Sequence, residues 1–373
     1  MHIGLNCVFL VPEETGGLEV YALELAAALA ALPGLRVTAF VSRDAAGRSL
    51  PDGVERVEVP VCARNRMEWV RGEQLLLPRL ARRAGIDVLH SLGSTAPARG
   101  RYARVVTIHD LLYRLVPEAH VGVRALGMRV LVPLAARSSH AVIVASRATR
   151  DDVVALLGLA PERVDVIPFG PGQAVRAEPL PEPALRRRFA LGDRPVVLSL
   201  SAKRPHKNLA GLLQALALLD AAERPIAVLP GFATPHEAEL RKLAATLGIA
   251  GDVRFCGWLA DDELEGLFAI ARAFVFPSLH EGFGLPVLEA MARDVPVACS
   301  ARGPLPEVAG DGALLFDPEA PGEIAEAIRR LVADAALRER LVAAGRQQLT
   351  HFSWARTARE TVAVYERALA RRA

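Results

Sequence analysis

Along the chain, short apolar runs alternate with longer stretches whose apolar residues recur every three to four positions. The runs at 2–9, 35–41, 54–60, 86–90, 104–108, 141–145 and 163–167 have the length and composition of strands. Between them, segments such as GGLEVYALELAAALA from Gly16 and MEWVRGEQLLLPRLARR from Met67 carry helical periodicity. This βαβα rhythm predicts an open, mostly parallel sheet with helices on both faces. The run from Pro168 to Pro183, rich in Pro and Gly and without a period, interrupts the rhythm and reads as an interdomain linker. The pattern then restarts, with strand-like runs at 195–200, 225–230, 253–258, 273–278, 295–300 and 313–318, and a long helical tail follows Phe352. Two doubly wound α/β units in tandem are therefore expected, with no sequence repeat between them. Ligands of such sheets bind beyond the carboxyl ends of the strands, so two facing units would form a deep cleft.

Composition narrows the picture. A chain of 373 residues suits two domains. The net charge of +3 does not suggest a nucleic-acid binder. Lys203, Lys207 and Lys242 are the only lysines, every other basic side chain of the Lys/Arg class being arginine, so each lysine is more informative than usual. Cys7, Cys62, Cys256 and Cys299 show no metal or CxxC spacing and read as reduced, mostly buried thiols. The start of the chain runs directly into HIGLNCVFLV, a first strand rather than a signal peptide, and no apolar stretch approaches the roughly twenty residues of a membrane span. The expected location is cytoplasmic. The segment from Arg64 to Arg83, with six arginines beside Met67, Trp69 and Leu75 to Leu77, reads first as a half-buried amphipathic helix. Its second reading is a surface for peripheral contact with an anionic membrane.

The stretch PSLHEGFGLPVLEAMA, from Pro277 to Ala292, carries the most chemistry. A strand ends near Pro277, and Pro286 is placed to open a helix at its first position. Gly282 and Gly284 let loop amides approach a ligand closely, and the helix start adds unpaired N–H groups suited to phosphate. Glu281 and Glu289 flank this turn and can accept hydrogen bonds from sugar and ribose hydroxyls. The combination suits a sugar nucleotide. Lys207, before Asn208 at a strand-to-helix turn, can neutralise a diphosphate. No D-x-D occurs, so no metal-bridged diphosphate and no cofactor is expected.

HEGFGLPVLEAMA resembles the E-x7-E signature of the retaining, GT-B fold glycosyltransferases of family 4, once called group 1. Other landmarks agree across nearly the whole chain: GGLEVYALELAAAL, VVTIHDL, ASRATRDDV, RPHKNLAGLLQAL, VRFCGWLADDEL and the tail FSWARTARETVAVYERAL. The resemblance implies an acceptor-side domain over 1–172, a nucleotide-sugar domain over 173–352, and a closing helix at about 353–373 that packs back onto the first. It places His109 and Glu281 by the donor sugar and Lys207 on the diphosphate. Gly16 and Gly17 would approach the donor phosphate from the first domain. Phe283, Gly284 and Leu285 would offer amides to phosphate or sugar, Glu289 would bind the ribose, and Gly257, Trp258 and Leu259, after Cys256, would frame the base. Asp110 is expected to shape a turn. Where the family often has Gly-Arg, this chain has Ser201 and Ala202, a departure that keeps a non-catalytic reading open; Arg204 or Lys203 could replace the second cation, Arg204 being preferred. The implied reaction moves a hexose, with retention, from a GDP-mannose-like or other nucleoside diphosphate sugar to a sugar, lipid-linked or small-molecule hydroxyl. HDLLYRLVPEAH, from His109, is a candidate for the acceptor side. Two rivals are a sugar-nucleotide epimerase of the same architecture and a non-catalytic sugar-nucleotide-binding protein.

Overall fold

Seven strands form the first sheet: β1 (His2–Cys7), β2 (Arg36–Val41), β3 (Val54–Glu58), β4 (Val88–Ser91), β5 (Ala103–Thr107), β6 (Ala141–Val144) and β7 (Val164–Val166). Six form the second: β8 (Val196–Leu198), β9 (Ile226–Leu229), β10 (Val253–Phe255), β11 (Ala271–Phe276), β12 (Val297–Ser300) and β13 (Ala313–Phe316). The computed structural model describes residues 1–12, 14–116, 123–172 and 177–372, with the side chains of 123–126 outside that description. The chain divides into two units, Met1–Gly170 with Phe352–Ala373, and Pro171–His351. Each predicted strand is present, displaced by no more than a few residues.

Both sheets are parallel and share one winding. The first runs β3-β2-β1-β4-β5-β6-β7 and the second β10-β9-β8-β11-β12-β13. Strand order reverses between β1 and β4 in one sheet and between β8 and β11 in the other. These are the two topological switch points, where the loops leaving neighbouring strands diverge and open a crevice. The inner strands read as unbroken apolar runs because helices cover both faces: β6, β9 and β12 are buried along their whole length. Edge strand β3, sequence VERVE, is exposed at most positions and carries charge, which discourages further strand pairing.

In the second unit the helices Leu209–Ala217 and Pro321–Ala333 close one core, with Leu212, Leu216, Ile324, Ile328 and Leu331 packed on Val275 and Leu229. In the first, Val132, Val153 and Leu157 pack on Val106, Val142 and Val144. The tail helix Trp354–Arg372 belongs to the first unit, where the Thr357 hydroxyl donates to the Pro168 carbonyl and Arg367 meets Asp165.

Three local expectations need correction. The stretch from Met67 is not one regular α-helix: Arg66–Arg71 and Leu77–Ala84 are joined by a π-helical turn, Gly72–Leu76. Pro78 follows that turn, and its missing N–H favours a local change in hydrogen-bond register. The linker read over 168–183 is shorter, because the helix Glu182–Arg188 begins inside it and Leu180 already bonds to the Asp262 carbonyl. Pro286 stands at the second position of its helix, Leu285–Met291, not the first. The segment 109–120 lies outside the described residues beyond Val116, apart from its start, where Leu112 N donates to Asp110 Oδ1 in the expected turn.

Candidate active site

The second unit's switch point brings Lys207 and Glu281 together. Lys207 closes the short turn Pro205–Lys207 after β8, and Glu281 lies in the loop after β11. Their Nζ–Oε1 distance is 2.5 Å, with side chains only 19% and 12% exposed. Several bonds hold the loops in register. The Leu279 amide and the Ser278 hydroxyl both donate to the His206 carbonyl. Asn208, in left-handed conformation with φ of 54°, accepts from Gly211 N as a helix cap. Its amide nitrogen donates to the carbonyls of Pro277 and Pro318 at 3.1 and 2.7 Å. One side chain therefore caps the helix and ties it to the ends of β11 and β13. Lys207 also lies 5.5 Å from the Phe276 ring, an apolar wall that strengthens its electrostatic interactions.

Beyond Glu281 the chain turns through Gly282, Phe283 and Gly284 into the helix Leu285–Met291. Gly284 has φ of 109°, and an added Cβ would lie 2.5 Å from Leu305 Cδ2, so both conformation and space demand glycine. Phe283 and Leu285 are buried and anchor the loop. Glu289 is half-buried on the helix. Gly172 passes directly against it: a Cβ there would meet Glu289 Oε1 at 1.9 Å. Sequence reasoning assigned no role to Gly172, and only its place in a Gly-Pro-rich run hinted at a close approach.

The neighbouring strand ends hold Lys203, Arg204 and the turn at Gly257. Lys203 is fully buried, and its ammonium donates to the carbonyls of Gly231 and Cys256, each at 2.6 Å. Burial pulls its pKa down to about 8. Arg204 is half-buried, and its guanidinium makes no hydrogen bond or ion pair among the described residues. The Gly231 amide donates to the Gly257 carbonyl at 3.0 Å, linking the loops after β9 and β10. Trp258 is 61% exposed and Leu259 half-buried. Trp258 is thus neither core nor packed surface.

In the first unit, Gly16 has φ of 54° at the start of the helix Gly17–Ala30, and Gly17 is exposed. His109 follows β5. Its Nε2 lies 2.6 Å from the Leu92 carbonyl, which accepts and so assigns the Nε2–H tautomer. Burial lowers its pKa, favouring the neutral ring. The Tyr21 ring stands edge-on to it at 5.0 Å. Behind lies a buried polar chain in which the Thr107 hydroxyl meets both Tyr21 OH and His90 Nε2, and His90 Nδ1 meets Tyr365 OH, each contact at 2.8 Å. Ser146 and Thr149, in the Ser-x-x-Thr segment, form an N-cap, Thr149 N donating to Ser146 Oγ at 3.1 Å. The structure therefore brings together Lys207, Glu281 and the Gly282–Leu285 loop in one unit, and His109 with the Gly17–Ala30 helix in the other. Among the described residues no three or more His, Cys, Asp or Glu gather as a metal-binding group, and no helix is long and apolar enough to cross a membrane.

Two doubly wound units, each with loops gathered beyond the carboxyl ends of its strands, place the chain among the two-domain α/β proteins whose ligands bind at such strand ends. Known proteins agree. Residues 15–170 match the Glycosyltransferase Family 4 model, and residues 182–348 match the Glycosyl transferases group 1 model. The chain is 33% identical over 274 residues to O-antigen chain mannosyltransferase B of Escherichia coli, covering 70% of each chain. Among solved structures, sucrose-phosphate synthase from Thermosynechococcus elongatus superposes with a TM-score of 0.80 at 21% identity, over 99% of both chains. Anabaena HepE in complex with UDP and glucose does so with a TM-score of 0.76 at 22% identity, over 98% of this chain and 99% of that one. The structural likeness shows the GT-B fold. The chain belongs to the family 4, or group 1, glycosyltransferases.

Proposed function

We propose that this glycosyltransferase moves a hexose from a nucleoside diphosphate sugar to a hydroxyl of a sugar, lipid-linked or small-molecule acceptor, retaining anomeric configuration and using no metal. The Lys207–Glu281 pair at the β8/β11 switch point carries the reading. A cation and a carboxylate held side by side, next to a glycine-hinged loop, match the two halves of such a donor. The ammonium neutralises charge on the diphosphate as the anomeric C–O bond breaks. The carboxylate accepts hydrogen bonds from sugar hydroxyls. Arg204, with its guanidinium uncommitted among the described residues, adds the second cation, Glu289 takes the ribose, and Gly257, Trp258 and Leu259 frame the base. Gly282 to Leu285 offer amides to phosphate or sugar. Gly16, Gly17 and His109 keep the donor-binding roles that the family resemblance implies, His109 as a neutral ring.

Retention follows if the acceptor attacks from the face the diphosphate leaves. A donor phosphate oxygen then takes the acceptor's proton, which removes the need for a paired acid and base. GDP-mannose is the first donor to test, because a relative at 33% identity is named a mannosyltransferase. Peripheral membrane contact is supported by the exposed Arg66, Met67, Arg71, Leu75 and Arg79 on the segment that contains the π-turn.

The test is a thermal-shift screen with GDP, UDP, ADP and dTDP on wild type, Lys207→Ala and Glu289→Ala. A ligand at a hundred times its dissociation constant stabilises by about 2.7 kcal/mol. One nucleotide should stabilise the wild type and neither variant to the same degree. Acceptor-dependent release of that nucleotide then separates a transferase from an epimerase or a binding protein. Inverted product by NMR would sink the retaining mechanism.

A further inference from the structure

We propose that Lys203 is a positioning residue for the donor's base: its ammonium, buried between the carbonyls of Gly231 and Cys256, fixes the loop after β9 against the turn after β10, and with them the exposed rings of Phe232 and Trp258. The inference rests on the nucleoside diphosphate sugar reading above.

Four further observations carry it. First, the junction is cross-linked beyond the ammonium. Lys203 N donates to the Phe232 carbonyl at 3.0 Å, the Thr234 hydroxyl donates to the Lys203 carbonyl, and Gly231 N donates to the Gly257 carbonyl at 3.0 Å. Three strand-end segments, after β8, β9 and β10, thus meet at one side chain. Second, Lys203 is an expensive choice for a purely structural position. It is 0% exposed, and its hydrogen-bond partners are neutral carbonyls, with Glu237 acting only as a favourable field. An apolar side chain would fill the volume at lower cost but would leave two buried carbonyls without a donor. Third, the residue type fits the task. This chain uses arginine almost everywhere, with three lysines among 45 Lys and Arg residues. A compact ammonium can converge on two carbonyls from one point, whereas a planar guanidinium spreads its donors. Fourth, the segments so fixed present two large rings to solvent at the sheet's ligand-binding edge, Phe232 at 44% and Trp258 at 61% exposure. Isolated exposed rings need no explanation, but these two stand on hydrogen-bonded neighbouring loops beyond the carboxyl ends of parallel strands. A flat heteroaromatic base is a ligand that rings so placed can take by stacking. Lys203 is then unavailable to the diphosphate, which leaves that place to Arg204.

The test measures binding of GDP, UDP, ADP, dTDP and inorganic pyrophosphate calorimetrically, with donor kcat and KM, on wild type, Lys203→Met and Thr234→Val. Pyrophosphate has no base and separates base positioning from phosphate binding. Lys203→Met should weaken the preferred nucleotide by about tenfold or more and compress the preference among bases, with pyrophosphate binding and kcat held within about threefold. Thr234→Val removes one link of the same junction from its half-buried rim. It should shift the same quantities in the same sense by less, and it decides the matter if Lys203→Met does not fold. Unchanged nucleotide affinity and base preference in both variants would overturn the proposal, as would a parallel loss of pyrophosphate binding, which would make Lys203 a phosphate cation. A wild type that binds none of the four nucleotides overturns the donor reading itself. That outcome is distinct from one in which wild type and variants bind alike.

Discussion

Glu281 should oppose nucleotide binding while it supports transfer. Its carboxylate sits 2.5 Å from Lys207 Nζ, both groups largely shielded. At an effective dielectric of about 20, a pair at that distance has a gross attraction of about 7 kcal/mol, much of which offsets the desolvation of both groups. An arriving diphosphate takes the same ammonium and lies beside the same carboxylate. At a separation of roughly 5 Å, each unit of phosphate charge is repelled by about 3 kcal/mol before solvent screening and side-chain relaxation. If about half of that survives, Glu281→Gln should bind the free nucleoside diphosphate about tenfold tighter than wild type. Lys207→Ala should act oppositely, weakening the nucleotide and lowering kcat/KM by about 10²–10³, as for loss of one charge-stabilising donor. Glu281→Gln should still slow transfer, because a neutral amide is a poorer acceptor for sugar hydroxyls than a carboxylate. The assay is isothermal titration of wild type, both single variants and the double variant with the preferred nucleotide, alongside steady-state transfer. The double-variant cycle isolates the coupling between the two side chains. If Glu281→Gln weakens the nucleotide as Lys207→Ala does, Glu281 is part of the phosphate site's scaffold and the competition argument fails.

Two further outcomes are expected. His90 is buried between Tyr365 and Thr107, and its pKa is pulled down to about 3, so the unfolded chain takes up its proton first as pH falls. Stability from this group is therefore complete above about pH 6.5 and is lost on acidification toward 3, at up to roughly 1.4 kcal/mol per unit. Urea unfolding across that range should show a shallower pH slope for His90→Gln than for wild type, with the variant weaker at neutral pH. An equal slope in both would refute the assignment. Separately, co-sedimentation with vesicles containing anionic lipid should fall by about 1 kcal/mol per charge removed when Arg66, Arg71 and Arg79 are changed to Gln. Equal binding to purely zwitterionic vesicles would remove the electrostatic basis for membrane contact.

The strand rhythm was legible because parallel strands covered on both faces are continuous apolar runs, as in β6 and β9, and their burial needs no knowledge of partners. The glycine loop was legible for a related reason. Gly284 answers a local backbone demand, and local demands are written where they are met. Short-range corrections, such as the π-turn before Pro78, came from competition between neighbouring residues that periodicity averages away.

What the pattern could not carry is partnership at a distance. Lys207 and Glu281 are 74 positions apart, Lys203 reaches carbonyls 28 and 53 positions away, and His90 meets a tyrosine 275 positions on. Each residue of the first pair was singled out on its own, by a local turn and by a resemblance to family motifs; that they meet follows from the strand order, in which β8 and β11 are neighbours across the switch point. Lys203 also follows β8, four residues before Lys207, and the sequence left it as the less preferred alternative to Arg204 for the second cation, with nothing to show that it is buried. The structure separates them by what surrounds each ammonium, the Glu281 carboxylate for Lys207, and for Lys203 two backbone carbonyls inside the fold. A displaceable partner leaves a cation free to act on a ligand, whereas fixed carbonyls commit it to holding the loops that present one. On the proposed reading the two lysines of one loop divide into a binding charge and a positioning charge, and the pyrophosphate comparison tests that division directly.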